Sequence, residues 1–524
     1  MLKGSLEKAI YFALFITILA NTSIVLANNL TVNNVSLKDR NPTLHTVVVE
    51  FNASWDNSWR TKINHDAIWL TVRLSDSTAS PTNKTLCDLS ASGLNPSGSS
   101  PGSNSALEVY VPSDKKGAFL RRASYGGLDS ISTNSVQLKV DYSSCGFDSS
   151  SQVNASVLGI EMIFVPRGEF YAGDYNSSTA SLQQGSSDSD PWYISSEDSI
   201  PVTNASSNGY RYVSAGQSGE DATGATFTIP AAFPKGYQPF YVMRYEITEG
   251  QWVEFVNSLP SDASRSHRDL TNNVHKNSDS TISRNAIVCS GSPLTCSTSR
   301  TDRPVSFLSW MDLAAFLDWT ALRPMTELEF EKAARGPLLP VKGEFAWGST
   351  TITAATALSG TENGTETITN SGANAHYNNI ILTGGDVGQG PLRAGIFATS
   401  SSNREESGAG YYGIMDLSGN LAERVVTIGN ATGRSFTGGH GDGILTAVSG
   451  YEGNANVTGW IETDGTDSSR GVTGATGSGF KGGSWSDQSS GARLRISDRS
   501  QAAAISTSAA NNFGGRGVRT YDGN

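Results

Sequence analysis

The sequence predicts an α+β chain in two parts, a small N-terminal β-sandwich followed by a large, loop-rich domain. Three observations predict it. Runs of β-branched and aromatic residues with period-two alternation concentrate before residue 157. Gly, Ser, Asp and Thr dominate long stretches after it. Only three later segments combine a helix-start signal with helical apolar spacing.

The elements follow in chain order. Lys3 and Lys8 flank the start of an apolar stretch, Ala9 to Ala20, which Asn21-Thr22-Ser23 interrupts. Val25-Leu26-Ala27 supplies compact residues at a cleavage position, so residues 1–27 read as a signal peptide and the mature chain as exported, secreted or at the cell surface. The stretch is shorter than the roughly 20 apolar residues of a spanning helix, and no later segment suits a transmembrane span. Residues 28–157 are expected to form a sandwich of immunoglobulin-like size, with strands at Thr46–Phe51, Ala67–Leu74 and Val136–Tyr142. The Gly93–Gly102 loop between them contains Gly98-Ser99-Ser100-Pro101-Gly102, a formal nucleophile-elbow match set in turn sequence, where the required strand-to-helix bend is not expected.

Residues 158–524 make the second domain. Thr248, Ser309 and Thr326 are expected to cap its helices, with Gln251, Asp312 and Glu329 as capping-box partners and Gly336 as a stop. Insertions rich in Ser, Asp, Gly and Thr interrupt it at Asn176–Thr226, Asp262–Arg300, Thr351–Gly372 and Ala431–Gly479, and chain this irregular needs fastening by a core, disulfides or bound ions.

Composition narrows the partners. Lys+Arg 38 against Asp+Glu 49 gives a net charge of -11, a sign that repels nucleic acid. Four cysteines in an exported chain read most simply as the disulfides Cys87–Cys145 and Cys289–Cys296, the alternatives being free thiols or a metal pair.

Several stretches, in order, carry a family resemblance. They are Tyr241-Val242-Met243-Arg244-Tyr245-Glu246-Ile247-Thr248, Arg303-Pro304-Val305-Ser306 with Ser309-Trp310, and Met325-Thr326 through Arg335-Gly336. Tyr412-Gly413-Ile414-Met415-Asp416-Leu417-Ser418-Gly419-Asn420-Leu421-Ala422-Glu423 follows, then Lys481-Gly482-Gly483-Ser484-Trp485, then Phe513-Gly514-Gly515-Arg516. With these the second domain resembles the formylglycine-generating enzyme family, also called the sulfatase-modifying factor domain, whose fold is related to that of C-type lectins.

The resemblance implies two structural calcium sites. One would use the side chains of Asn379 and Asp386 with the carbonyls of Ile380 and Gly388. The other would use Asp416 and Glu423 with the carbonyls of Gly419 and Leu421. Such mixed oxygen donors suit Ca²⁺; the competing reading is that Asp416 and Asn420 shape a turn and Glu423 pairs with an arginine. The resemblance also implies an oxidase that holds Cu(I) on two cysteines after the Gly-Gly-Ser segment. Those positions hold Asp487 and Ala492. Soft Cu(I) needs thiolates, so no copper is expected and the family's oxidase chemistry is not expected either.

The leading expectation is therefore a non-catalytic ligand-binding or surface-assembly protein. Its recognition surface would be Ser484, Trp485, Asp487, Arg493, Arg495, Asp498 and Arg499, facing a glycan or peptide, with neighbouring surface proteins or a second copy as other partners. The rivals are an enzyme with a different redox metal, held by Asp487, His440 or Glu423, and a surface-layer or filament subunit.

Overall fold

The computed structural model describes residues 29–79, 83–175, 178–185, 190–204 and 209–523. The expected signal segment lies outside them.

Strand Thr46–Arg60 is central in a four-stranded sheet, paired antiparallel with Thr31–Asn41 on one side and Gly126–Asp141 on the other. Its alternate residues Val47, Val49, Phe51, Ala53 and Trp55 turn inward. They meet Ile68, Leu70, Val72 and Leu74 of strand Asp66–Asp76 in a facing sheet. Each Val, Leu, Ile or Phe side chain so removed from water contributes about 1.5–3 kcal/mol. The disulfide Cys87–Cys145 closes this layer pair, as the cysteine spacing suggests.

The facing sheet continues beyond the first domain. Strand Val153–Val165 pairs along its length with Asp66–Asp76, and its last four residues pair with Phe240–Met243 on the other side. Phe240–Met243 then pairs with Gly517–Thr520, which pairs with Arg323–Pro324. The expected boundary between residues 157 and 158 thus falls inside one strand, and the two parts share a nine-stranded sheet. Strand Asp66–Asp76 explains the join, because all but its last residue is buried. Ile68 and Leu70 face the first core while Ala67 and Trp69 face the second. The Trp69 indole N–H donates to the Thr320 carbonyl at 2.9 Å. A strand apolar on both faces needs cover on both.

The second part folds around three helices that begin at the expected caps. They are Glu249–Ser258, Trp310–Trp319 and Glu327–Arg335, each with a complete capping box. A short helix, Asp262–His267, starts the same way from Ser261. A small sheet, with Ala422–Val426 between Ser478–Lys481 and Phe513–Gly514, brings the later motifs together. Cys289 and Cys296 form the second expected disulfide. Ser100 pairs with Gln137 in an isolated bridge and stands on no strand-to-helix bend.

Candidate functional site

The loop from Tyr412 to Glu423 carries the most distinctive geometry. Asp416, Gly419 and Asn420 all have positive φ (59°, 99° and 64°). A Cβ on Gly419 would stand 2.7 Å from the His376 carbonyl oxygen, so glycine is required there. The tight turn points its polar groups inward. The Gly395 N–H donates to Asp416 Oδ2 at 2.6 Å, and the Leu392 N–H donates to Asn420 Oδ1 at 2.9 Å.

Glu246 is a member of this group that the sequence reading quoted without assigning it a role. Its carboxylate accepts from the Asn420 amide and from the Leu421 N–H, both at 2.9 Å. Its signal was its place two residues before the Thr248 cap, where the chain leaves the sheet. Glu423 is fully buried and accepts from Arg516 Nε at 2.6 and 2.8 Å, so the arginine pairing weighed for it is present. Burial raises the pKa of Glu246, Asp416 and Glu423, with Glu246 raised furthest, and Arg516 opposes the shift in each. Three buried carboxyl groups share this neighbourhood with Arg516, and Arg393 also acts on Asp416. That charge balance fits a cation. The carboxylates do not converge on one point, however: among the described residues the only set of three His, Cys, Asp or Glu ligand atoms within 4.8 Å is Asp269 with Cys289 and Cys296, whose sulfurs are joined to each other.

The other expected calcium set has different chemistry. Arg300 donates to both oxygens of Asp386 at 2.7 Å, and Arg303 adds a third bond at 3.0 Å. These guanidinium contacts bring its pKa down to about 2. The Asn379 N–H donates to the Trp485 carbonyl and the Asn379 carbonyl accepts from Gln389, while Ile380 and Gly388 flank this on partly exposed chain. A carboxylate already held by two guanidiniums is a poor calcium ligand, so this donor set does not fit.

The expected recognition surface divides. Asp487 accepts from the Ser484 N–H at 2.7 Å and from its hydroxyl at 2.9 Å, and Arg493 closes the other carboxylate oxygen at 3.0 Å. Trp485 is buried, with its indole N–H on the Asn511 carbonyl. Arg495 is partly buried, and Asp498 accepts from the Ser500 N–H and hydroxyl. Arg499 does not reach the surface; it is fully buried against Glu327 at 2.6 Å. The expected surface does not form because this segment is a 3-10 turn followed by irregular chain packed inside. Arg493 alone keeps half of its side chain in water. The thiolate positions offer a carboxylate and a methyl group, and all four cysteines are in disulfides; cuprous ion does not fit this donor set. His440 is partly buried, its Nε2 accepting from the Thr520 N–H at 2.9 Å; desolvation, with Arg519 and Arg323 nearby, holds its pKa well below the usual value.

An open cleft lies elsewhere, on the seam between the two parts. It measures about 550 Å³ and is walled by Trp59, Leu128, Tyr411, Tyr412, Met415 and Arg244 with Asn, Ser and Thr side chains at its margin. The Trp59 ring lies 3.3 Å from where a Gly413 Cβ would be, so the family motif and the sandwich touch here. The Asn64 amide ties them further by donating to the Tyr412 carbonyl at 2.7 Å. Sequence reasoning could not find this cleft, because its aromatic residues are some 350 positions apart in the chain.

Fold and site together define a loop-rich α+β domain with a buried carboxylate–guanidinium centre and no thiolate pair. The model of the sulfatase-modifying factor enzyme 1-like domain matches residues 150–521. The chain belongs to that family, the one also known by the formylglycine-generating enzyme. Comparison with curated proteins finds no match. Among the described residues, no helix is long and apolar enough to cross a membrane.

Proposed function

We propose that this chain is an exported, non-catalytic ligand-binding member of the family, with calcium as a structural ion and a glycan or peptide as ligand. The observation that carries the reading is the capture of Asp487 by Ser484 and Arg493 at the position of a family thiolate. It leaves no free nucleophile or soft metal ligand there. The aromatic cleft of Trp59, Tyr411 and Tyr412 supports binding, since it is in the size range of small-ligand sites and pairs ring faces with polar margins. The immunoglobulin-like sandwich then serves as one wall of the binding site.

Calcium would draw together Asp416 and Glu246 with the carbonyls of Gly419 and Leu421, while Glu423 stays on Arg516. It would supply the positive charge that three buried carboxyl groups need beyond Arg516 and Arg393. The protein's own part is to hold those groups on a turn whose backbone is fixed by Gly419 and Asn420.

Screening the mature protein on glycan and peptide arrays tests the binding reading. Trp59→Ala and Tyr411→Ala are expected to abolish the signal from neutral glycans and peptides, and Arg493→Ala to leave it. Conversion of a cysteinyl peptide to an aldehyde in air, with copper supplied, would overturn it. Removal of calcium with EGTA is expected to lower Tm in the native chain and to have no further effect in Asp416→Asn.

A further inference from the structure

A second cleft lies on the same seam, with Thr61 on the walls of both. It measures about 580 Å³, and among the described residues its lining includes Arg60, Lys62, Arg121 and Arg167 but only one carboxylate, Asp522. In a chain of net charge -11 such a grouping is contrary to the bulk composition. Three nearby acids are already engaged. Glu108 is shared by Arg60 and Arg121, each at 2.8 Å. Asp522 accepts from the Tyr110 hydroxyl at 2.7 Å and from the Ser113 N–H at 2.8 Å. Glu197 accepts from the backbone N–H of Gln238 at 3.0 Å and of Lys235 at 2.9 Å. Setting Glu108 and Asp522 against the four cations leaves two positive charges. They are carried by Lys62 and Arg167, both exposed, neither of which makes an ion pair or hydrogen bond with a described residue; Arg167 only lies over the Tyr237 ring at 5.3 Å.

The remaining walls are rings. Tyr125 is 66 % exposed, and Phe164 meets Tyr521 edge-on at 5.3 Å. We propose that this cleft binds an anionic saccharide, a sugar bearing carboxylate or sulfate groups, through Lys62 and Arg167 with Tyr125 and Tyr521 as ring platforms. Charge and rings side by side suit such a ligand: cations meet the acid groups and aromatic faces meet the pyranose faces. The volume is in the range of small-ligand sites and exceeds the needs of a lone inorganic anion. An acidic peptide is the poorer fit. A peptide adding as a strand needs a free sheet edge, whereas the floor strand at Phe164 is already laddered on both sides, to His65 and to Tyr241. This assignment stands apart from the aromatic cleft and does not depend on it.

The test is isothermal titration of the intact mature protein with a galacturonate tetrasaccharide and a heparin-derived tetrasaccharide, with maltotetraose and tetraglutamate as controls. At least one acidic saccharide is expected to bind, at least tenfold more tightly in 50 mM than in 500 mM NaCl, and the controls to bind at least tenfold more weakly. Lys62→Glu/Arg167→Glu is expected to cost at least tenfold in affinity with Tm unchanged, since both side chains are exposed, while Trp59→Ala leaves affinity as it was. Equal binding of maltotetraose, equal or tighter binding of tetraglutamate, no binding of either acidic saccharide, or an unaltered double variant each overturns the proposal. Loss of binding in Trp59→Ala but not in the double variant would move the ligand to the aromatic cleft.

Discussion

The sandwich and the family domain solve the same problem by different means. In the sandwich, long strands satisfy their own backbone, and the core between the sheets is apolar, from Val47 through Val140. In the family domain, loops outnumber ladders, and charged side chains are drawn inside to finish the hydrogen bonding. Arg424 donates to the carbonyls of Leu308, Ser506 and Ser508, and Arg516 to those of Met243, Arg244 and Met415. Lys332 and Lys235 do the same for Gly168 and Gly236 and for Pro230 and Phe233. Carboxylates then balance the buried cations: Glu327 on Arg499, Glu329 on Arg323, and Glu344 on Arg335. A buried carbonyl left without a donor is costly, so irregular chain can be kept inside a protein when guanidinium and ammonium groups are available to serve several carbonyls at once.

That contrast can be broken by mutation, starting with its strongest claim. Arg499→Ala should destabilise by about 3–5 kcal/mol, because Glu327 is left as an uncompensated buried charge. This equals the cost of emptying the sandwich core with Leu70→Ala, about 2–5 kcal/mol. Replacing both Arg499 and Glu327 by leucine should recover much of the loss, and urea unfolding of the four proteins checks it. A cost below about 1 kcal/mol for Arg499→Ala would break the comparison.

The disulfides sharpen it. Cys87–Cys145 closes a separation of 58 residues and Cys289–Cys296 one of 7. Loop-closure entropy gives about 4 kcal/mol for the first and about 2 kcal/mol for the second when both partners are changed to alanine. Thermal melts of the paired variants should show the larger fall in the sandwich.

Buried acids should give the family domain a pH dependence. Burial, with Asp442 nearby, pushes the Asp318 carboxyl up to about 7 from 3.8. Its folded pKa lies above the unfolded one, so the folded state holds the proton longer. This contribution is fully present below pH 4 and is lost as pH rises toward 7, with a slope on the order of 1.4 kcal/mol per pH unit. Asp318→Asn should flatten that slope in unfolding midpoints measured at pH 5 and pH 7. The smallest effect belongs to a cap: Thr326→Ala should cost about 1 kcal/mol by removing the acceptor of the Glu329 N–H.

Much of this architecture could be read in advance where the signal is local. The three capped helices and the early strands depend on residues close in sequence or on a simple period, and the two disulfides on a count of four cysteines, two in each part. The boundary at residue 157 was harder to read, since Val153–Val165 gives no sign that its two ends serve different cores. The turn from Asp416 to Glu423 was legible as a motif. Arg516, ninety-three residues after Glu423, became its partner only on folding. Arg499 and Asp498 looked like surface groups because charge ordinarily means exposure, a rule that fails where loop carbonyls need donors.

By itself the sequence pointed to the family, the helix starts and the favoured disulfide pairs, and it determined the absence of thiolates at Asp487 and Ala492. Tertiary structure alone decided that the two parts share one sheet, which charges are buried, and that clefts open along the seam. The physical reason is range: caps, turns and periodicity act within a few residues, whereas burial, field and cavity shape are set by neighbours hundreds of residues away.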